Sequence, residues 1–219
     1  MFDVNFYTQL WGVKGALLTG VSITVLVSLS SIILGTLIGL LVGLSLTYTK
    51  NILRIFPRIY TDFVRGTPVL VMLLATYYVP AVFKVNLSPI NAGIAALSIF
   101  LSSHVAEMVR GALINLPKGQ SEAAGSIGLS FFQTFVFILL PQAFRQIIPT
   151  WVNASVETLK ASTLVSVIGV GDLLLSTQQI IALNFMTLPF FMFAGLLYFL
   201  LAYLIQQVGK ILEKKFTLV

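Results

Sequence analysis

Apolar runs long enough to cross a bilayer recur along the whole chain, and no other feature constrains its fold as strongly. A helix of about 20 apolar residues spans the roughly 30 Å hydrocarbon core. Of the 219 residues, 58% are hydrophobic and 9% are charged, so the chain cannot present a polar surface to water on all sides. The runs cover about 15–46, 60–79, 89–114, 141–161 and 189–212. They predict an all-α integral membrane protein with five transmembrane helices in a single domain, 1–219.

The basic residues are distributed unequally between the two sides of such a bundle. Lys14, Lys84 and Lys160 fall on one side, and the other side carries Lys50, Arg54, Arg58, Arg65, Arg110, Lys118, Arg145, Lys210, Lys214 and Lys215. Because cytoplasmic loops carry the excess of Lys and Arg, the N-terminus is predicted to lie outside and the C-terminus in the cytoplasm. The net charge of +6 then reflects membrane orientation, and no nucleic-acid partner is expected.

Two segments on the predicted outer side do not span the membrane. Residues 1–14 are too short and too polar to span, but Phe2, Phe6 and Leu10 recur at helical spacing, which predicts a segment along the outer interface. Residues 164–188 are also too polar, and they predict a short outer helix and loop that could meet a substrate-delivering protein. The chain has no cysteine, which excludes disulfides and metal-thiolate sites, and no metal site is predicted.

One loop, 116–140, differs from the others because it contains a run of small residues. Ser121 is predicted to cap a short helix, and Glu122 to lie in its first turn, where a carboxylate suits the positive end of the helix dipole. The residues that leave this helix nearly bare are Ala123, Ala124, Gly125 and Gly128, the last of which is also a natural helix stop. The loop is therefore either a docking element for another protein or an ordinary connection between spans. A second short helix is predicted over 131–140, at the inner surface.

Three polar residues, Asn153, Glu157 and Lys160, recur on one face of the fourth predicted span at spacings of four and three. Pro149 is predicted to kink this span near its middle. An ionised carboxylate within a bilayer is costly unless it faces a partner or water. Two interpretations stay open: Glu157 pairs with Lys160 within the helix, or it faces the transport route and binds the ammonium or guanidinium group of a substrate.

Further polar positions occur in the second and third predicted spans. The Gly-Thr-Pro sequence at 66–68 should interrupt the second span, and the backbone groups that it frees make Thr67 a candidate to line a water-filled route. Glu107 and Arg110 share a helix face and are expected to pair. His104 lies deeper in the third span, where it is either a substrate contact or a histidine satisfied within the helix bundle.

Two more contacts are expected of the spans. Gly35, Gly39 and Gly43 stand four apart on one face of the first span, so a neighbouring helix can approach closely, within the subunit or across a dimer. Asp62 and Arg65 lie near the inner end of the second span, where they pair with each other or reach the lipid headgroups.

Several short sequence motifs resemble those of the permease subunits of polar amino-acid ABC importers. In chain order they are Arg65-Gly66-Thr67-Pro68, Ala106-Glu107-Met108-Val109-Arg110-Gly111, Gly119-Gln120-Ser121-Glu122-Ala123-Ala124, Leu140-Pro141-Gln142-Ala143, and Asn153 followed by Lys160-Ala161-Ser162-Thr163-Leu164. The resemblance implies the type I importer architecture, in which the Glu-Ala-Ala loop is a cytoplasmic coupling helix that docks into a separate ATPase subunit. It also marks Lys160 and Ser162 as family features, and both are candidate residues of the substrate pathway. Relatives usually carry an aromatic residue at the position of His104 and often an apolar one at Glu157.

The sequence contains no Gly-x-x-x-x-Gly-Lys-Ser/Thr phosphate loop, so ATP hydrolysis would come from other subunits. The chain is expected to be a transporter subunit and not an enzyme, without a cofactor of its own, while two partner ATPases bind ATP and Mg²⁺. The resemblance implies three further partners: a second copy or sister permease, an external amino-acid-binding protein, and the lipid of the bacterial cytoplasmic (inner) membrane. The expected substrate is a polar or basic amino acid. The alternative is a self-contained ion-coupled secondary transporter or channel, whose candidate ion sites are Asp62, His104, Glu107 and Glu157.

Overall fold

The chain forms a bundle of helices joined by short connections, as its apolar runs predict. The computed structural model describes residues 4–49 and 51–217, and every regular element within these ranges is helical. The α-helices are α1 (Val4–Tyr48), α2 (Ile55–Gly66), α3 (Val69–Val82), α4 (Pro89–Ile114), α5 (Lys118–Ser126), α6 (Phe131–Thr134), α7 (Leu140–Ala161), α8 (Leu173–Asn184) and α9 (Thr187–Thr217). Two segments, Asn51–Arg54 and Ser162–Ile168, form the tighter turns of a 3₁₀ helix. A third, Phe135–Leu139, forms the wider turn of a π-helix. Phe2 and Lys50 lie outside the described residues, and the predictions that involve them stay predictions.

Four stretches of helix in the described ranges are long and apolar enough to cross a membrane, and a bent pair of helices is a candidate fifth. The four are Phe6–Tyr48, Pro89–Ile114, Phe131–Ile168 and Thr187–Lys215. The bent pair consists of Ile52–Gly66 and Val69–Val82, which meet at an angle of 111° and count as a span only if they are taken together. The second of the five predicted spans is therefore a bent pair of helices.

The break between α2 and α3 falls where the Gly-Thr-Pro sequence predicts it. α2 ends at Gly66, and Thr67 is extended, with φ −99° and ψ 130°. Pro68 explains this conformation, because the residue before a proline is disfavoured in the helical region. The predicted end of this span at Pro80 is wrong, since α3 includes Pro80 and continues to Val82.

Close packing of α1 on α4 forms the centre of the bundle. A Cβ atom added to Gly35 would lie 2.9 Å from the Leu101 Cβ, and one added to Gly43 would lie 2.7 Å from the Ala106 carbonyl oxygen. Gly39, between them, is even closer to α4, since its added Cβ would lie 2.6 Å from a side-chain carbon. Of the two predicted uses of this glycine stripe, the structure therefore shows packing within the subunit.

α1 begins earlier than the predicted first span. It runs without a break from Val4, and its 45 residues correspond to about 68 Å at 1.5 Å per residue. The part of the predicted interfacial segment that follows residue 3 is thus continuous with the first span. Phe6 is buried there, with its ring 5.3 Å from that of Phe190 on α9. The position of residues 4–14 relative to the lipid stays a prediction.

The helix over 131–140 is not the separate element that the sequence predicts. Ser130 and Gln133 form a capping box at the start of α6, with hydrogen bonds of 3.3 Å and 2.9 Å. The wider turn then carries α6 into α7, so that one helical stretch covers Phe131–Ile168. The wider turn ends at Leu139, two residues before Pro141, which has no N–H to donate. The fourth span therefore begins before Pro141.

The segment between the last two spans has the predicted form of a helix with flanking loops. The tight turn after α7 ends at Gly169, whose φ of +82° is readily accessible only to glycine. α8 follows and packs against α1, where a Cβ added to Gly20 would lie 2.8 Å from the Ser176 hydroxyl oxygen. The last helix, α9, is longer than the predicted 189–212.

Candidate functional site

α5, the helix of the small-residue loop, begins earlier than predicted. Pro117 directly precedes Lys118, the first residue of α5, and Ser121 lies inside the helix. The Ser121 hydroxyl donates a hydrogen bond to the Lys118 carbonyl at 2.9 Å. The prediction that Ser121 caps this helix is therefore wrong, because the helix already starts directly after Pro117 and its N-cap position is Pro117. Glu122 accordingly lies in the second turn and not in the first.

The predicted stop of α5 at Gly128 is confirmed. Gly128 has φ +82°, and its N–H donates to the Gly125 carbonyl at 3.0 Å. The next N–H, of Leu129, donates to the Ala124 carbonyl at 3.1 Å. Residues other than glycine are strained at this φ, so Gly128 ends the helix and fixes the direction of the chain towards α6.

The surface of α5 is small and open. Ala124 is 2% exposed, so the prediction that it belongs to the bare surface is wrong, whereas Glu122, Ala123 and Gly125 are exposed. A Cβ added to Gly125 would meet no atom within 4 Å, so packing within the chain does not require glycine there. The bare surface of α5 is consequently open to contact with another molecule.

A stripe of polar residues follows α7 on its exposed side. It consists of Gln146, Thr150, Asn153, Glu157 and Lys160, which are all exposed and are spaced by four, three, four and three residues. These spacings place the five side chains on one helix face. We call this surface the polar stripe. The sequence predicts its last three members, and the same periodicity extends it to Gln146 and Thr150.

The predicted pair between Glu157 and Lys160 is not formed. Among the described residues, the salt bridges involve other side chains, and both of these groups are exposed. Lys160 instead borders a cavity of about 380 Å³ between α7 and α9, beside Tyr198, Tyr203 and Gln206. An exposed carboxylate within a span is costly in lipid, so the polar stripe must face water or protein.

The other predicted route residues lie apart from the polar stripe. The Thr67 hydroxyl, at the α2–α3 break, donates to the Phe63 carbonyl at 2.8 Å. His104 on α4 is half-buried, with its Nδ1 3.0 Å from the Phe100 carbonyl oxygen. This geometry fits a histidine satisfied within its own helix. Ser162 is fully buried and donates to the Leu159 carbonyl at 2.7 Å, so it does not line an open surface in this structure.

Charged side chains connect α2 to α4 near the end of the bundle that carries α5. The Glu107 carboxylate accepts hydrogen bonds from Arg110 at 2.9 Å and 2.7 Å, as predicted, and from Arg58 at 3.2 Å. Arg58 also bonds to Asp62 at 2.9 Å, so Asp62 pairs with Arg58 and not with Arg65. We call Arg58, Asp62, Glu107 and Arg110 the charge cluster. Sequence reasoning missed Arg58, because its partner Glu107 is 49 residues away.

A buried polar group anchors the segment between the last two spans. The Asp172 carboxylate caps α8 by accepting the Leu175 N–H at 2.9 Å, and it accepts the Tyr198 hydroxyl at 3.2 Å. Thr24 on α1 accepts the Leu173 N–H at 3.1 Å. Burial raises the pKa of the Asp172 carboxyl above its usual range because it penalises the charged form. An Asp before a leucine-rich run is a possible N-cap signal that sequence reasoning did not use.

The described residues contain no cluster of three or more His, Asp or Glu side chains that could hold a metal ion. The features that remain are a membrane-spanning helical bundle, an exposed small-residue helix between two spans, and a polar stripe within the span that follows. Together they are typical of a multi-pass membrane permease.

The family model described as "Binding-protein-dependent transport system inner membrane component" matches residues 35–218. The chain is 34% identical over 220 residues to the "Putative glutamine transport system permease protein GlnP" of Rickettsia felis, covering 98% of each chain. It is 32% identical over 200 residues to the "Arginine transport system permease protein ArtQ" of Bacillus subtilis, covering 91% of each. The chain therefore belongs to the family of binding-protein-dependent transport system inner membrane components, as an amino-acid ABC transporter permease.

A solved structure has the same fold over nearly the whole chain. It is described as "Crystal structure of an amino acid ABC transporter with histidines", and it superposes with a TM-score of 0.88 at 27% sequence identity. The match covers 98% of this chain and 100% of the other.

Proposed function

We propose that this chain is the membrane subunit of an ATP-driven importer of polar or basic amino acids. Two copies, or one copy and a sister permease, enclose the route, and two ATPase subunits dock on α5 and bind ATP and Mg²⁺. An external binding protein delivers the substrate. The chain lies in the bacterial cytoplasmic membrane with α5 and the C-terminus inside and the N-terminus outside, in agreement with the distribution of Lys and Arg.

One observation carries this proposal: the exposed surface of α5 is joined to the polar stripe by a short connection and a single helical stretch. Gly128 fixes the turn after α5, the capping box at Ser130 starts α6, and the helix then continues to Ile168. A displacement of α5 is therefore passed along a stiff element to Glu157 and Lys160. An ATPase dimer that holds two α5 helices closer in one nucleotide state than in the other would shift the route between two conformations.

The polar stripe supplies complementary charges for an amino acid. Glu157 and Lys160 lie on one face of α7, about 4.5 Å apart along the helix axis. The Glu157 carboxylate binds an ammonium or guanidinium group, and the Lys160 ammonium binds the substrate carboxylate, because neither group is neutralised by the other. Asn153, one turn away, offers a donor and an acceptor. The relatives named for glutamine and arginine transport agree with a polar or basic substrate.

Glu157→Gln and Glu122→Gln test the two parts of the proposal separately. In the assembled transporter, Glu157→Gln should abolish most of the thermal stabilisation by arginine, lysine, histidine or glutamine, while the ATPase subunits still co-purify. Glu122→Gln should leave substrate stabilisation intact and weaken association with the ATPase. If Glu157→Gln leaves the response to every amino acid unchanged, Glu157 is not in the substrate site.

Uptake by liposomes that contain this chain alone tests the alternative, an ion-coupled secondary transporter. The charge cluster argues against it, because Glu107 is already paired with two arginines. We expect no uptake without the ATPase subunits and ATP. Uptake driven by an ion gradient in their absence would overturn the importer proposal.

A further inference from the structure

α2 exposes a continuous apolar face that no part of the described chain covers. Its members are Ile55, Phe56, Ile59 and Phe63, whose exposed fractions are 51%, 69%, 60% and 70%. The spacing of four between Ile55 and Ile59, and again between Ile59 and Phe63, places them on one side of the helix. Burying four large apolar side chains is favourable, so we expect a partner to cover them.

Contacts with α4 fix the direction in which this face points. Thr61 and Val64 are buried, and the Tyr60 hydroxyl hydrogen-bonds to the Ser102 hydroxyl. Arg58 adds its salt bridge to Glu107 at 3.2 Å. The apolar residues lie on the side of α2 away from these contacts, so the face points outwards from the bundle.

The orientation of α2 relative to α3 indicates what the face meets. The two helices are bent by 111°, so α2 is close to perpendicular to α3, which enters the membrane. A helix perpendicular to a span lies near the membrane plane. The contacts of Tyr60 with Ser102 and of Arg58 with Glu107 place α2 against the half of α4 that leads into α5.

Two exposed arginines, one at each end of α2 and on its polar side, point to an anionic partner. Arg54 and Arg65 are exposed, and among the described residues neither has a carboxylate within 4.0 Å. Arg58 differs, because Asp62 and Glu107 already neutralise it. A guanidinium group binds phosphate bidentately, and basic residues at a membrane surface attract anionic headgroups.

We propose that α2 is an in-plane membrane helix that binds anionic phospholipid. Its apolar face inserts at the boundary between headgroups and acyl chains, and Arg54 and Arg65 bind the lipid phosphate. Each arginine contributes about fivefold to the preference for an anionic lipid, from about 1 kcal/mol per basic residue. The charge cluster holds α2 against α4, which leaves Arg54 and Arg65 to bind the lipid. This inference goes beyond the transport function and does not depend on which amino acid is carried.

The depth of the apolar face can be measured directly, because the chain contains no cysteine. The full chain carrying Phe63→Cys is labelled with a fluorophore in nanodiscs and quenched with brominated phospholipid or with aqueous iodide. Ile127→Cys is the matched control, since Ile127 is 76% exposed on the loop after α5. We expect lipid quenching at position 63 and iodide quenching at position 127. If iodide quenches the label at position 63 as strongly as the label at position 127, the proposal is overturned. Protection of position 63 from both quenchers would also overturn it, because it would show that a protein covers this face.

The same label at position 63 tests the headgroup. Brominated phosphatidylglycerol should quench it several-fold more strongly than brominated phosphatidylcholine at equal mole fraction. In the Arg54→Gln/Arg65→Gln variant this preference should disappear, whereas Lys118→Gln/Arg145→Gln, which removes two other exposed cations, should retain it. Equal quenching by the two lipids in the unsubstituted background would refute anionic-lipid binding, and so would a preference that survives the double arginine substitution.

Discussion

Replacing Gly39 by alanine should destabilise the bundle, although alanine is the better helix former. The added Cβ would lie 2.6 Å from the Val105 Cβ and 2.7 Å from the Ser102 carbonyl oxygen, well inside van der Waals contact. One of these atoms belongs to the α4 backbone, so α1 and α4 must move apart. Overpacking of this kind costs about 1–3 kcal/mol. The helix propensity of alanine offsets at most about 1 kcal/mol.

Gly111→Ala is the matched control, because Gly111 lies in α4 and an added Cβ there meets no atom within 4 Å. Both variants gain the same helix propensity, so the difference between them isolates the helix contact. We expect Gly39→Ala to be less stable by about 1–3 kcal/mol, which lowers Tm by several degrees. Thermal unfolding of the purified chain in detergent measures this difference. Equal melting temperatures for the two variants would refute the close packing of α1 on α4.

Two further predictions concern charged groups. Glu107→Gln should lower the free energy of unfolding by about 1–3 kcal/mol, because the Glu107 carboxylate is mostly buried. Asp62→Asn should lower it by less than about 1 kcal/mol, because the Arg58–Asp62 pair is half-exposed. Equal effects of the two substitutions in denaturant unfolding would contradict this prediction. The raised pKa of Asp172 means that the folded chain keeps a proton which the unfolded chain releases. Stability should therefore be highest below the ordinary Asp pKa and fall as pH rises through the raised value. Asp172→Asn should remove this part of the pH dependence, and identical profiles for both chains would rule it out.

Features that depend on local chemistry could be predicted from the sequence. Apolar runs predict the spans, Pro68 predicts the break after α2, and Gly128 predicts the end of α5. The pair between Glu107 and Arg110 follows from a spacing of three on a helix. The error at Ser121 arises because Pro117 and Ser121 are both suitable starts for one helix, and the local sequence does not decide between them.

Features that depend on packing between distant segments could not be predicted. The 111° bend between α2 and α3 requires the contacts of α2 with α4, and Arg58 finds Glu107 only because of them. In the candidate site, periodicity identifies the polar stripe, but the cavity beside Lys160 depends on residues of α9. The burial of Ser162 likewise follows from the turn after α7, which its neighbouring sequence does not specify.

Co-purification of the ATPase subunits with a Gly125→Phe chain tests the central claim, that α5 is the docking element. A Cβ added to Gly125 meets no atom of this chain within 4 Å and Gly125 is exposed, so we expect the variant to fold and melt like the unsubstituted chain. Gly12→Phe is the matched control. A Cβ added to Gly12 also meets no atom within 4 Å, and Gly12 lies near the start of α1, at the end of the bundle away from α5. We predict that Gly125→Phe loses the ATPase subunits and ATP-driven uptake, while Gly12→Phe retains both. Normal ATPase recovery and uptake with Gly125→Phe would contradict the account.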